Sequence, residues 1–132
     1  MNLIDYHFKS MLSLDLHSSQ RTFVEWMYAN GDHVAVQSME CFPEIRDRFL
    51  HYRWRLDLEQ KQCFRNAYRA TVLFDDFLYV EGWTAIHGKL VEHAWIAHDG
   101  PHGLVFFDPT FELVLALEVK RSYFAVIILD QE

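Results

Sequence analysis

Three residues of this chain suit one piece of chemistry. Cys63 lies in Lys61-Gln62-Cys63-Phe64, His93 in Glu92-His93-Ala94-Trp95, and Asp108 in Phe107-Asp108-Pro109-Thr110. A thiolate is a strong nucleophile, but a free thiol of pKa about 8.5 is only about 3% ionised at pH 7. An imidazole beside it raises that fraction. A carboxylate beyond the imidazole fixes its tautomer and favours its protonated form. Cys63, His93 and Asp108 supply these three groups in that order. The chemistry they imply is acyl transfer. Thiolate attacks an amide or thioester carbonyl, imidazolium protonates the departing nitrogen, and water or an amine resolves the thioester. The Cys63 backbone N–H would hold the oxyanion, with Gln62 and Trp95 as further candidate donors. Asn66, one helical turn after Cys63, reads as a brace for the site or a cap for a neighbour, with the structural role favoured.

Each residue also has a plainer reading. Cys63 alone would be an inert thiol on an amphipathic helix. His93 alone would be a satisfied core histidine, and Asp108 before Pro109 a turn starter. Three suited contexts together favour the site. Cys41 has no such context and reads as structural. Glu81 and Glu92 read as pointing away from the site or facing solvent. Among eight histidines, His87, His93, His98 and His102 repeat no zinc-pair spacing, and there is no Cys-x-x-Cys. No metal or other cofactor is expected.

The elements that must position the trio follow from periodicity and punctuation. Residues 18–29 predict a helix, capped by Ser18 or Ser19, with Phe23, Trp26 and Met27 at helical spacing and Gly31 as its stop. Pro43 opens a second helix through Phe49. Residues 51–56, His-Tyr-Arg-Trp-Arg-Leu, alternate and predict an extended segment with Tyr52, Trp54 and Leu56 inward. Residues 58–74 predict a helix. Asp57 with Gln60 would make a capping box. A start near Gln60 or Lys61 would instead put Cys63 in the first turn, where the helix dipole favours thiolate, and this suits catalysis better. Strands are expected over Tyr79–Ile86, Val91–His98, Leu104–Asp108, Phe111–Val119 and Tyr123–Asp130. A turn over Asp99–Gly103 puts His93 opposite Pro109. A turn one residue shorter puts it directly opposite Asp108, about 5 Å away and on the same face. Helices first and antiparallel strands after predict an α+β fold, with N-terminal helices packed on an antiparallel sheet.

Composition sets the outer bounds. At 132 residues, 51% hydrophobic, the chain predicts a single domain over 1–132 that buries a core without disulfides or metal. A net charge of −7 argues against broad binding to nucleic acid, and the short basic segment at 51–56 reads as a solvated arginine face. Two cysteines, no basic leader and no long apolar run predict a reduced, cytoplasmic protein with no membrane segment.

Gln62-Cys63-Phe64, His93-Ala94-Trp95 and Asp108-Pro109-Thr110 together resemble the transglutaminase-like branch of the papain-like cysteine enzymes. In that branch a helix-borne Cys precedes a His-Ala-Trp strand and an Asp-Pro-Thr strand end. Lys61 and Phe64 depart from the Gly and Trp frequent at those places. The resemblance implies a papain-like, transglutaminase-like core, with Cys63 as nucleophile, His93 as base and Asp108 as orienter. It implies a peptidase, amidase or deamidase acting on a protein or peptide substrate, glutamine-containing substrates among them. Hydrolysis is favoured over crosslinking. The alternative is a non-catalytic protein-binding or inhibitor module on the same fold.

Overall fold

The computed structural model describes residues 3–14, 18–117, 119 and 121–129. Helices α1 (Leu3–Leu12) and α2 (Ser18–Asn30) come first. The cap expected from Ser18 or Ser19 falls at the edge of the described residues. Gly31 stops α2 as expected, its N–H donating to the Met27 carbonyl at 2.9 Å. A side chain at position 31 would also strike the Phe124 ring, at 2.2 Å. The buried stripe of α2 is Val24 and Met27, whereas Phe23 and Trp26 are exposed.

Helix α3 (Pro43–His51) begins with Pro43 in its first turn. Strand β1 (Asp32–Val34) precedes it. The extended segment expected over 51–56 is not formed. The chain passes Tyr52 and continues as the short helix α4 (Arg53–Leu56). The reason lies in a longer period than the local alternation. Ile45, Phe49, Tyr52 and Leu56 recur at helical spacing and pack into one cluster. Trp54, expected inward, is 83% exposed, while Leu56 is 1% exposed. Burying a leucine so completely is worth about 1.5–3 kcal/mol, enough to decide the conformation of a four-residue segment.

Asp57 closes α4 in a left-handed conformation, φ 47°. It therefore ends one helix and does not cap the next. Its carboxylate instead accepts from Arg65 Nη2 at 3.0 Å. A second left-handed residue, Lys61 (φ 61°), redirects the chain. Helix α5 then runs Cys63–Leu73, shorter at its N-terminus than the expected 58–74 and two or three residues later than the alternative start.

Strands β2 (Phe77–Ile86), β3 (Lys89–Gly100), β4 (Gly103–Phe107) and β5 (Tyr123–Leu129) complete an antiparallel sheet ordered β1-β5-β2-β3-β4. The last expected strand reaches Leu129, and Asp130 lies outside the described residues. Just past β1, Val36 bridges Phe106 of β4, and Gln37 N–H donates to the Phe106 carbonyl at 2.8 Å. The two ends of the sheet thus approach each other, and the sheet curls. Its inner face carries Val80, Trp95, Ala97, Tyr123 and Ala125. Its outer face carries Phe77, Ala94, Ile96 and Phe107 beneath α3, α4 and α5. Phe124 and Trp83, also outward, meet α1 and α2.

Among the described residues the strand expected over Phe111–Val119 is absent. Residues Thr110–Val114 form a wide helical turn instead. Asp108 starts it, its Oδ1 accepting the Phe111 N–H at 3.1 Å and its carbonyl accepting the Glu112 N–H at 3.0 Å. Glu112 then accepts from the Ser38 hydroxyl at 2.6 Å and the Met39 N–H at 2.9 Å, anchoring the turn to the segment after β1. The local Asp108 bonds at the start of the segment outcompete an alternating pattern. The mixed α+β class holds, with helices on an antiparallel sheet. Among the described residues no helix is long and apolar enough to cross a membrane.

Candidate active site

Cys63 is the first residue of α5, and Gln62 before it makes no side-chain capping bond. The uncapped first turn directs free N–H groups and the positive end of the helix toward the thiol region. The half-buried Cys63 thiol is near enough to the His93 ring and to the backbone N–H groups of Ala94 and Phe64 for them to favour its thiolate. Ala94 can reach it because β3 pairs with β4 only from Ile96 onward, so that stretch of strand edge faces α5.

His93 is 3% exposed. Its Nε2 lies 2.7 Å from Asp108 Oδ2, which leaves Nδ1 for Cys63. Phe111 stacks on the imidazole at 4.3 Å, tilted by 18°, and Trp95 lies 6.0 Å away at 21°. The ring is therefore held in plane by packing as well as by its bonds.

The hairpin that carries the pair follows neither expected register. The turn is only Pro101-His102, with Gly100 opposite Gly103, and the last pair is Ile96 with Phe107. Continuing that register sets Asp108 level with Trp95, two residues along from His93. Because the side-chain period is two, His93 and Asp108 still share a face, as diagonal neighbours. Asp108 sits just beyond the strand and swings across that diagonal.

Asp108 is fully buried and takes three donors. Oδ2 accepts from His93 and from the Tyr123 hydroxyl at 2.7 Å, and Oδ1 accepts the Phe111 N–H. Three donors offset the cost of burying so polar a group. Tyr123 stays a donor, because burial and the facing Asp108 carboxylate push its hydroxyl well above the ordinary range.

Burial works against charge on both members of the Cys63–His93 pair. It pushes the thiol up and the imidazole down. The hydrogen bonds and opposite charges outweigh it on both sides. The Cys63 thiol ends below its usual value, and His93 is pushed up to about 9 by Asp108 first and Cys63 second. The arrangement favours thiolate beside imidazolium.

Asn66 ties the surroundings together from a fully buried position. Its Oδ1 accepts the Glu59 N–H at 3.0 Å, and its Nδ2 donates to the Glu59 carbonyl at 2.8 Å and to the Thr110 hydroxyl at 3.0 Å. One amide thus joins the loop before Cys63, the helix that carries it and the turn after Asp108. Trp95 is fully buried against His93 and Tyr123, and its indole N–H has no acceptor among the described residues. Gln62 is exposed at the helix start.

Tyr123, Phe111, Thr110 and the Ala94 N–H were not singled out by sequence. The Phe111 N–H had a usable signal, since Asp followed by Pro favours a turn in which the aspartate accepts a later backbone N–H. Tyr123 had none beyond opening a strand. Cys41 is exposed. Glu81 accepts from the Tyr79 hydroxyl at 2.6 Å, and Glu92 is exposed. His98 pairs with Asp76 at 2.9 Å, apart from the trio. Among the described residues no cluster of three His, Cys, Asp or Glu side chains is placed to hold a metal ion. Comparison with protein-family models, with curated proteins and with solved structures finds no match for this chain.

Proposed function

We propose that the chain is a cysteine-dependent amide hydrolase or acyltransferase with a papain-like, transglutaminase-like core. The observation that carries the reading is the His93 Nε2 bond to the buried Asp108 carboxylate at 2.7 Å, with the Cys63 thiol electrostatically coupled to the same ring. The Cys63 sulfur forms a bond to the carbonyl carbon of an amide, and the carbonyl electrons move to oxygen. His93 Nδ1–H gives its proton to the amide nitrogen as the C–N bond breaks, releasing ammonia or an amine. A water then gives a proton to Nδ1 and attacks the thioester carbon. Carboxylic acid leaves and the thiolate is restored. Attack by an amine in place of water gives transfer.

Asp108 keeps Nε2 as the donor to itself, so that the proton available for transfer is the one at Nδ1. Phe111 and Trp95 hold the ring plane while the proton moves. The substrate class this reading favours is a peptide or glutamine amide, with hydrolysis ahead of crosslinking.

The test is intact-mass analysis after incubation with peptide amides and glutamine-rich proteins, read for a thioester adduct, ammonia release or cleavage. The native chain should give at least one of these signals. Cys63→Ser, which changes one atom, should give none while folding normally. A biological effect retained in full by Cys63→Ser would replace the enzyme reading with a binding module.

A further inference from the structure

A cleft of about 700 Å³ lies between the α3–α4 segment and the C-terminal half of α5. Cys63 is at the opposite end of α5. Arg48, Arg55 and Arg69 line the cleft together with Tyr52, Tyr68 and Phe74, and no carboxylate lines it among the described residues. This is unexpected in a chain of net charge −7.

The three guanidinium groups are not equivalent. Arg48 is already engaged by both oxygens of Asp76, at 3.1 and 2.8 Å, and lies over the Phe74 ring at 4.9 Å. It serves as a wall. Arg55 and Arg69 form no salt bridge among the described residues. Arg69 Nη1 is shut off from solvent without an acceptor. Arg55 and Arg69 thus bring two positive charges to the cleft with no carboxylate of their own, and an anionic oxygen there would supply the counter-charge.

Guanidinium forks match the oxygens of phosphate. The Tyr52 and Tyr68 rings offer flat apolar surface for a planar group. The volume falls in the range of small-molecule sites, roughly 300–1,000 Å³. A long polyanion would instead meet the overall negative charge of the protein. We propose that this cleft binds a phosphorylated ligand with a planar ring, of the size and charge of a mononucleotide. The site is independent of the chemistry at Cys63.

Isothermal titration of the full chain with AMP and GMP tests this, with adenosine, inorganic phosphate and a twelve-residue oligonucleotide as separate arms. At least one mononucleotide should saturate, and more tightly than adenosine, phosphate or oligonucleotide. Arg55→Ala and Arg69→Ala should each weaken it on the order of ten- to a hundredfold, as expected for a lost bond to a charged group. Arg55 is exposed, so its replacement should leave the melting curve unchanged. Should Arg69→Ala unfold the chain, Arg55→Ala and Tyr68→Ala decide. The proposal is overturned by no saturation with either nucleotide at millimolar concentration. Undiminished binding in the decisive variants, phosphate alone binding as tightly, or tighter binding of the oligonucleotide would overturn it equally.

Discussion

Asp108→Asn isolates the electrostatic contribution of the carboxylate at nearly constant shape. His93 is pushed up to about 9 from an ordinary 6.5, with the Asp108 bond ahead of the Cys63 bond among the causes that raise it. At about 1.36 kcal/mol per pH unit, the difference is worth about 3 kcal/mol of imidazolium stabilisation. Most of that should vanish with the Asp108 charge. An asparagine amide that turns its NH₂ to Nε2 also forces the ring proton onto Nδ1 of a neutral imidazole, the wrong tautomer for a base facing Cys63. Two consequences follow, and alkylation of Cys63 by iodoacetamide across pH 5–9 reads the first. In the native chain Cys63 should be labelled near pH 6 well before the exposed Cys41, because its folded-state thiol lies below the usual value. An ordinary thiol loses about tenfold in thiolate per pH unit below its pKa, and a lowered pKa costs back only part of the gain in nucleophilicity. Asp108→Asn should move the onset of Cys63 labelling to higher pH, and His93→Ala should remove the preference over Cys41. Amide turnover, the second readout, should fall by about 10³- to 10⁴-fold by analogy with serine triads. The sign also holds for stability in a Cys63→Ser background, where the thiol no longer titrates. A histidine raised in the folded state stabilises fully below its unfolded value near 6.5, and that contribution is lost as pH rises through the folded value. Unfolding free energy should therefore fall across that window, and the fall should vanish when Asp108→Asn is added. An unchanged labelling profile in Asp108→Asn would refute the electrostatic role of the carboxylate.

Tyr123→Phe removes one of three donors from a buried carboxylate and should cost about 1–3 kcal/mol in urea unfolding, with the fold kept; no loss would mean that the bond is not formed. Gly82 faces His93 across β2 and β3, and a Cβ there would lie 2.0 Å from the Phe124 carbonyl oxygen. Gly82→Ala should therefore destabilise by at least about 1–3 kcal/mol and slow Cys63 labelling through the displaced strand, a result measurable by thermal melting and alkylation together. Asp76 is held below the ordinary carboxylate range: burial opposes ionisation there, but Arg48 and His98 outweigh it. Its contribution to stability is present above the unfolded value and lost as pH falls through the folded one, so Asp76→Asn should flatten the acid limb of the stability curve.

What the sequence made legible follows the range of the interactions involved. The helix from Ser18, the proline start at Pro43 and the β2–β3 and β3–β4 pairings rest on caps, turns and period-two runs, all of which act within a few residues. Against the shorter-turn register the pairing is slipped by two positions, which keeps His93 and Asp108 on one face because parity decides the face; the Asp99–Gly103 register is off by one and would have set them on opposite faces. The 51–56 segment failed for the opposite reason. Its alternation is real, but the stripe Ile45, Phe49, Tyr52 and Leu56 that overrides it is visible only across α3 and α4 together. Phe111–Val119 failed because Asp108 claims the first two N–H groups of the segment, that of Phe111 with Oδ1 and that of Glu112 with its carbonyl. The same Asp108 bond that misled the strand assignment also supports the site. An aspartate that starts a turn with Oδ1 has Oδ2 left for His93 and Tyr123, so the turn reading and the triad reading describe one carboxylate with two oxygens. The docking of α5 on the open edge of β3 had no sequence signal. It depends on β4 ending at Phe107, which leaves the β3 edge at Ala94 uncovered beside Cys63. Extending β4 by two residues would cover that edge, so the turn at Asp108-Pro109 gives His93 its carboxylate and Cys63 its place in the same step.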